Sequence, residues 1–289
     1  MTSRRRRPGR WLLALGTGAV GLWIMLQFAA AFIASHGQQF SDPVDPPAAF
    51  GPCWRRVTAP GVDAWWCPGT DGTDSTSAPI VFAHGYGGDR EGLRRLSNTL
   101  HERTGRGILL PQLAYATGAE PFGGGERESE AIAAALRWVR AETQRDAVVF
   151  GFSMGGYAAM RAVANGAPAS AIIEDSSFLS SRDVFMFGAA RRVHLPSWAW
   201  AGLPLAYPAV SKGGHLGDID GVALAGRRLP VLAIRCRADD TVPLDYQQQL
   251  VDVLRAELWI GACDEHTGAF DADNAAYADR VLAFLAPRA

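Results

Sequence analysis

The stretch Val148–Gly156, with the sequence VVFGFSMGG, decides the fold prediction. An apolar run typical of a buried strand leads into a G-x-S-x-G pattern, and a helical pattern follows over Met154–Asn165. Such a strand-to-helix turn holds its central Ser in strained backbone geometry, and the Gly residues beside it let the strand and helix backbones come close. A helix amino terminus also favours a developing anion. Ser153 is therefore a candidate nucleophile, and the alternative is a turn of Ser and Gly without chemistry.

The alternation of short apolar runs and longer amphipathic runs continues on both sides of this turn. Continuous apolar runs between helices indicate strands that are buried on both faces of a parallel sheet. The sequence therefore predicts an α/β fold with a mostly parallel central sheet and helices on both faces. The strand-like runs are Pro79–Ala83, Gly107–Leu110, Ala147–Phe150, Ala171–Glu174, Val231–Cys236 and Glu257–Gly261, and the helical patterns lie at about Arg90–Arg103, Arg127–Glu142, Met154–Asn165, Asp245–Arg255 and Asn274–Leu285.

One segment, Ser177–Arg228, interrupts the alternation. It is too long for an ordinary connection between elements, so we expect a helical cap inserted over one end of the sheet. Its aromatic side chains predict an apolar pocket for an acyl or aryl group, although they could equally pack against the sheet alone. These aromatic residues are Phe185, Phe187, Trp198, Trp200 and Tyr207.

A second strand-like run enters a Gly-rich loop at Ile80–Gly88, with the sequence IVFAHGYGG. This loop and the turn around Ser153 resemble the α/β-hydrolase superfamily, in particular small serine hydrolases related to serine aminopeptidases and dienelactone hydrolases. In that superfamily, backbone N–H groups from this loop and from the residue after the nucleophile form an oxyanion hole. Matched residue by residue, the resemblance implies Tyr86 and Met154 as the two donors. His84 is interpreted as a packed residue beside the site.

The superfamily's chain order of nucleophile, acid and histidine indicates where the other catalytic residues lie. The segment Arg237–Pro243, RADDTVP, is similar to the superfamily's acid turn, in which two residues separate the Asp from Val-Pro. That register implies Asp239 as the acid, with Asp240 as the alternative, and either residue could instead cap the next helix. Beyond Asp239 the sequence has a single histidine, His266, placed between the last predicted strand and the last predicted helix.

The resemblance implies a serine hydrolase that cleaves a carboxylic ester or thioester through an acyl-enzyme on Ser153. His266 would take the proton of the Ser153 hydroxyl, and Asp239 would orient the imidazole. We expect a small acyl substrate and neither a metal nor an organic cofactor. A serine peptidase of the same fold and a non-catalytic, hydrolase-like binding module are the alternatives.

The amino terminus differs in charge from the rest of the chain. Of the 28 basic residues, five lie within the first ten positions, which leaves 23 basic against 29 acidic side chains beyond them. Nucleic acid is therefore not an expected partner of the folded domain. The five residues are Arg4, Arg5, Arg6, Arg7 and Arg10.

Behind these arginines, Trp11–Ala34 contains 24 residues without a charge. A helix of that length measures about 36 Å, and the hydrocarbon core of a bilayer is roughly 30 Å thick. Residues 1–40 are therefore interpreted as an uncleaved membrane anchor with the start of a linker, or alternatively as a signal segment cut near Ala29–Ala31. The positive-inside rule places the following residues outside the cytoplasm. Residues 41–52 are interpreted as a Pro-rich linker, and residues 53–289 as the α/β-hydrolase domain.

Four cysteines suit an oxidising compartment. Cys53 and Cys67 bracket two short β-like runs, so a disulfide could join the ends of a hairpin. Cys236 and Cys263 each end a strand-like run, and a second disulfide could join them if those strands are neighbours. The alternative is four buried free thiols.

Overall fold

A computed structural model describes residues 9–37, 45–70 and 77–286, and of residues 9–15 it describes the backbone alone. The strands of its sheet are β1 Arg55–Ala59, β2 Val62–Cys67, β3 Ile80–Ala83, β4 Ile108–Pro111, β5 Val148–Phe152, β6 Ala171–Asp175, β7 Val231–Arg235 and β8 Glu257–Ile260. Their order across the sheet is β1-β2-β4-β3-β5-β6-β7-β8. The pairs β1–β2 and β2–β4 are antiparallel, and the pairs from β4 to β8 are parallel. The predicted α/β fold with a mostly parallel sheet is confirmed.

The helices surround this sheet, and five of them correspond to the predicted helical patterns. They are α1 Gly9–Ser35, α2 Arg94–Thr104, α3 Glu126–Thr143, α4 Met154–Ala164, α5 Ser181–Val193, α6 Leu203–Val210, α7 Gly221–Gly226, α8 Leu244–Leu254, α9 Ala269–Ala272 and α10 Asn274–Leu285. The sequence analysis missed α9 because four residues are too few to show a helical period.

Apolar side chains on both faces of the sheet explain the continuous apolar runs. In β3, Ile80 and Phe82 belong to the core under α2 and α10, whereas Val81 and Ala83 belong to the core under α3 and α4. All four side chains are fully buried. Burying a large aliphatic or aromatic side chain stabilises the fold by about 1.5–3 kcal/mol, so the sheet is fixed from both sides.

The hairpin of β1 and β2 joins the sheet through β2. Ala59 pairs with Val62 across the turn Pro60-Gly61, in which Gly61 has a φ of 73°. That angle lies in the left-handed region, which favours Gly at this position. The predicted disulfide Cys53–Cys67 is present and ties the end of β2 to the residues before β1.

Between β6 and β7 the chain forms α5, a short 3-10 helix at Ser197–Trp200, α6 and α7. Side chains begin two of these helices, since Ser180 accepts a hydrogen bond from the Asp183 N–H and Asp220 accepts from the N–H of Val222. The segment predicted at 177–228, called the cap below, is thus largely helical as expected. Its function as a cap over the site stays a prediction.

The amino-terminal helix α1 has 27 residues, and its part Gly16–Ser35 is long and apolar enough to cross a membrane. It packs against α6. The predicted linker at 41–52 lies partly outside the described residues, because the description omits residues 38–44. In the described part, Phe50 is buried against the rings of Trp54 and Trp65. The domain boundaries near residues 40 and 52 stay predictions.

Candidate active site

The turn that carries Ser153 joins β5 to α4. Ser153 has a φ of 50° and a ψ of −117°, a conformation that costs a residue other than Gly about 1–3 kcal/mol. Close packing explains the neighbouring Gly155, because a Cβ atom there would overlap the backbone carbonyls of Ala83 and His84. The G-x-S-x-G pattern therefore forms the strained strand-to-helix turn that the sequence predicts.

Ser153, His266 and Asp239 form a hydrogen-bonded line. The distance from Ser153 Oγ to His266 Nε2 is 2.8 Å, and the distance from His266 Nδ1 to Asp239 Oδ2 is 2.7 Å. The three residues follow β5, β8 and β7, at the carboxyl edge of the sheet. In such an arrangement the carboxylate holds the imidazole from one side, and the imidazole can remove the proton of the hydroxyl on its other side. The structure thus brings together the three residues that the superfamily's chain order indicates.

The carboxylate of Asp239 is fully buried and surrounded by donors. Its Oδ1 accepts hydrogen bonds from the N–H groups of Thr241 and Val242, both at 2.8 Å. Its Oδ2 accepts from Gln247 Nε2 at 2.8 Å, in addition to its contact with His266. These donors fix the carboxylate in one orientation toward the imidazole.

The neighbouring Asp240 lies in a different environment. Its side chain is 68% exposed and accepts a hydrogen bond from Arg191 at 3.0 Å. That hydrogen bond is the largest reason why the pKa of Asp240 lies below its usual value. Of the two aspartates that the sequence left open, Asp239 is the one that contacts His266.

The predicted disulfide Cys236–Cys263 is present and joins the loops that carry Asp239 and His266. Each half-cystine lies three residues before one of these side chains. The Arg237 N–H also donates to the carbonyl of Cys263 at 2.8 Å. The loops after β7 and β8 are therefore held together as one unit.

The loop after β3 holds the peptide group between Gly85 and Tyr86 in a defined orientation. The Tyr115 hydroxyl donates to the Gly85 carbonyl at 2.9 Å. His84 Nδ1 lies 3.2 Å from the same carbonyl, and because His84 Nε2 accepts from the Leu113 N–H, Nδ1 carries the proton and donates. In a trans peptide the N–H points opposite to the carbonyl. Fixing the Gly85 carbonyl therefore also fixes the Tyr86 N–H.

Met154 is the first residue of α4, directly after Ser153. The first four N–H groups of an α-helix have no carbonyl partner within the helix. Tyr86 follows β3, and β3 is the sheet neighbour of β5, which leads into Ser153. The two predicted oxyanion donors thus follow adjacent parallel strands.

The structure was compared with known proteins. No protein-family model matches the sequence, and the search of curated proteins found no relative. An esterase of Pyrococcus furiosus is 18% identical, with a TM-score of 0.65, and the match covers 87% of this chain and 97% of the esterase. An esterase of a Rhodococcus species is 15% identical, with a TM-score of 0.53 and coverage of 81% and 98%. The α/β-hydrolase GrgF of a Penicillium species is 14% identical, with a TM-score of 0.56 and coverage of 78% and 93%.

The chain has the α/β-hydrolase fold. The roles of the site residues stay predictions.

Two buried carboxyl groups of the α/β-hydrolase domain were missed by the sequence analysis. Asp175 accepts hydrogen bonds from the hydroxyls of Tyr277 and Ser176, at 2.8 and 2.9 Å, and the Thr267 N–H beside His266 donates to the same Ser176 hydroxyl. Burial raises the pKa of Asp175 to about 6 and that of Glu174 to about 8. The signal in the sequence was a pair of acidic residues at the end of an apolar strand.

His84 is buried and does not take part in the hydrogen-bonded line of Ser153. Burial lowers its pKa to about 4, so the imidazole is neutral at neutral pH. A neutral ring can accept from Leu113 and donate to Gly85 at the same time. This environment agrees with the interpretation of His84 as a packed residue beside the site.

An aromatic cluster surrounds Tyr86. The ring of Tyr86 contacts those of Tyr115, Phe122 and Phe185, and Phe185 comes from the cap. A cavity of about 170 Å³ beside the cluster is lined by Tyr86, Tyr115 and residues 35–37 at and just after the end of α1, but not by Ser153. Of the aromatic residues in the cap, Phe185 joins this cluster, whereas Trp198 is 76% exposed, and the predicted acyl pocket stays a prediction.

Within the described residues, one group of side chains has the spacing of metal ligands, namely Cys53, Cys67 and His101. Both sulfur atoms belong to the disulfide. Since metal binding by Cys requires a thiolate, this group offers a single ligand, His101.

Proposed function

We propose that the protein is a serine hydrolase that cleaves carboxylic esters or thioesters through an acyl-enzyme on Ser153. His266 is the general base, and Asp239 orients its imidazole and stabilises the imidazolium. The N–H groups of Tyr86 and Met154 are the proposed oxyanion donors. The observation that carries this proposal is the hydrogen-bonded line from the strained Ser153 through His266 to the buried Asp239.

The proposed reaction follows from the weak nucleophilicity of a hydroxyl. His266 Nε2 takes the Ser153 proton while Oγ attacks the acyl carbon, and the two N–H groups stabilise the resulting oxyanion by about 3–4 kcal/mol per donor. The imidazolium then protonates the leaving alcohol or thiol. Water, deprotonated by the same imidazole, releases the acid from Ser153 and restores the free enzyme.

Two features favour an ester over a peptide substrate. The cap contributes Phe185 to the aromatic cluster around Tyr86, in the loop after β3 that is called the oxyanion loop below. Such apolar surroundings suit an acyl chain. A peptidase would typically need a charged group to hold a peptide terminus. In the cap, Asp183 and Asp218 both pair with Arg182 at 3.1 Å, and Asp220 accepts hydrogen bonds from the first N–H groups of α7, so all three carboxylates already have partners.

The helix α1 is proposed as an uncleaved membrane anchor with the catalytic domain outside the cytoplasm. The length of its apolar part, the preceding arginines and the two disulfides support this location. The mass of the mature protein tests it, because cleavage near Ala29–Ala31 would remove most of α1 and contradict the anchor.

The hydrolase proposal is tested by labelling the full-length, detergent-solubilised protein with a fluorophosphonate. We expect one adduct, located on Ser153 by mass spectrometry and absent from Ser153→Ala. That result would be followed by a panel of esters, thioesters and peptides. A folded protein that forms no adduct would contradict the proposal and favour the non-catalytic binding module.

A further inference from the structure

The carboxyl-terminal half of α1 lies against the folded domain. Trp23 Nε1 and Gln27 Nε2 both donate to the carbonyl of Ala199 in the cap, at 2.7 and 3.0 Å. Gln27, Ala31 and Ser35 are almost fully buried. Their four-residue spacing places them on one face of the helix. This face of α1 is therefore an interface with the domain.

The length of that interface determines how the domain sits relative to a bilayer. From Trp23 to Ser35 the helix rises about 18 Å, whereas the hydrocarbon core measures about 30 Å. Residues 11–22 alone would also rise only about 18 Å, too little to cross. If α1 spans the bilayer, the part of the cap beside Trp23 must lie level with the outer half of the membrane.

A cap surface level with the outer half of the membrane should carry exposed apolar side chains, and the cap beside α1 does. Trp198 precedes the Ala199 that accepts both hydrogen bonds from α1, and Leu205 lies on α6, which packs along α1. Contiguous exposed apolar side chains are uncommon on soluble monomers. The set called the cap face below consists of Val193, Leu195, Trp198 and Leu205, with exposed fractions of 51%, 48%, 76% and 83%.

The exposed side of α1 is apolar as well. Its exposed residues include Leu22, Met25, Phe28 and Phe32, each at least 43% exposed. At the rim of the cap face, the exposed Arg192 directly precedes Val193. Trp and Arg side chains beside an apolar surface are typical of membrane interfaces.

We propose that the cap face inserts into the outer leaflet of the bilayer beside α1, so that the enzyme takes long-chain, lipid-soluble acyl esters directly from the membrane. The same elements adjoin the proposed oxyanion loop, since the Tyr86 hydroxyl donates to the carbonyl of Ala34 in α1 at 3.0 Å and Phe185 of the cap contacts the Tyr86 ring. The substrate class rests on the hydrolase activity proposed above, and the insertion rests on the anchor.

Photolabelling tests the insertion without depending on catalysis. The full-length protein is reconstituted in vesicles of phosphatidylcholine that include a phosphatidylcholine with a diazirine on its acyl chain. We expect adducts on α1 and on peptides that contain residues 193–205. The internal control is Val222, which is 85% exposed on α7, a helix that packs against α4 and α8, and it should remain unlabelled.

Two outcomes of the labelling would overturn the inference in distinguishable ways. Adducts on α1 alone would support the membrane anchor but exclude insertion of the cap face. The cap face would then be covered by water or by a second copy of the chain. No adducts on α1 would contradict the anchor as well.

Kinetics of a surface variant test the substrate class. For Leu205→Gln we expect about tenfold lower activity on a long-chain ester in vesicles, because Gln would replace one Leu side chain that the proposal buries in the bilayer. Activity on a short, water-soluble ester should be unchanged. The matched control, Val222→Gln, should change neither. Equal losses on both esters, or no loss on either, would contradict the proposal. A wild-type protein inactive on both esters would instead contradict the hydrolase function.

Discussion

Asp239 and Asp240 are adjacent in the sequence, yet the fold gives them different partners. Asp239 contacts His266 from a buried position, whereas Asp240 contacts Arg191 at the surface. We expect Asp239→Asn to lower kcat by about 10⁴-fold, because the imidazole loses the carboxylate that sets its tautomer. Asp240→Asn is the matched control and should retain most of the activity. Steady-state kinetics on one ester would test both, and the opposite ranking would contradict the proposed acid.

Tyr115 is a residue that the sequence alone did not single out. Its hydroxyl reaches Gly85 only because the chain folds back over 30 residues, and no motif marks such a contact. Ser153 and His266, by contrast, were predictable because their positions follow from chain order and from the elements beside them. The positions of Ser153 and His266 in the hydrogen-bonded line could thus be predicted from local patterns, but the groups that orient the loop of Tyr86 could not.

The contact of Tyr115 leads to a prediction for Tyr115→Phe. We expect kcat to fall roughly tenfold with little change in KM, because Tyr115 is one of three donors that fix the Gly85 carbonyl, beside His84 Nδ1 and the Gly88 N–H, and its loss leaves the proposed oxyanion donor less ordered. Tyr207→Phe is the matched control, since the buried Tyr207 hydroxyl also donates to a backbone carbonyl, that of Phe122, at 2.9 Å. Both variants should lose about 1–3 kcal/mol of stability. An equal fall in kcat for both would mean that Tyr115 acts only on stability.

At the scale of elements, the strands and helices of the sheet were largely predictable, and the arrangement of the cap was not. A strand such as β3 is buried on both faces, so its apolar run is uninterrupted. The cap elements instead bury only part of their surface, and Trp198 and Leu205 are exposed. The length of the segment therefore predicted a helical insertion, but its aromatic content did not indicate which side chains would be buried.

The two disulfides join different elements and should differ in function. Cys236→Ala/Cys263→Ala separates the loops of Asp239 and His266, so we expect both lower stability, by about 2–4 kcal/mol, and a marked loss of kcat. Cys53→Ala/Cys67→Ala is the matched control, and it should lose comparable stability while kcat is retained. Chemical denaturation and ester kinetics would measure the two effects. Equal kcat values for the two variants would show that the second disulfide does not hold the acid and base together.

At the scale of the whole molecule, the position of α1 against the domain was not predictable from its composition. An apolar stretch indicates contact with lipid on all sides, but α1 buries one face against the cap. The signal that was present is Gln27, since a polar side chain within an apolar helix requires a partner.

The stability of the whole molecule should depend on the ionisation of Glu174. Its pKa in the folded protein is about 8, raised by burial, above the ordinary value near 4.5. Between these values the unfolded chain releases a proton that the folded chain keeps, so the contribution of Glu174 to stability declines as pH rises from about 4.5 to 8. We expect Glu174→Gln to reduce this decline and to melt a few degrees above wild type at pH 8, but not at pH 4. If plots of Tm against pH ran parallel for wild type and Glu174→Gln from pH 4 to 8, the raised pKa of Glu174 would be contradicted.

The disulfide between Cys236 and Cys263 also bears on when the proposed hydrolase would first become active. Thiols stay reduced in the cytoplasm and oxidise outside it. A newly synthesised chain would therefore carry its nucleophile before its acid and base are joined, and full activity would begin only after translocation. Oxidation would then act as a maturation step that spares intracellular esters while the chain is still inside the cell.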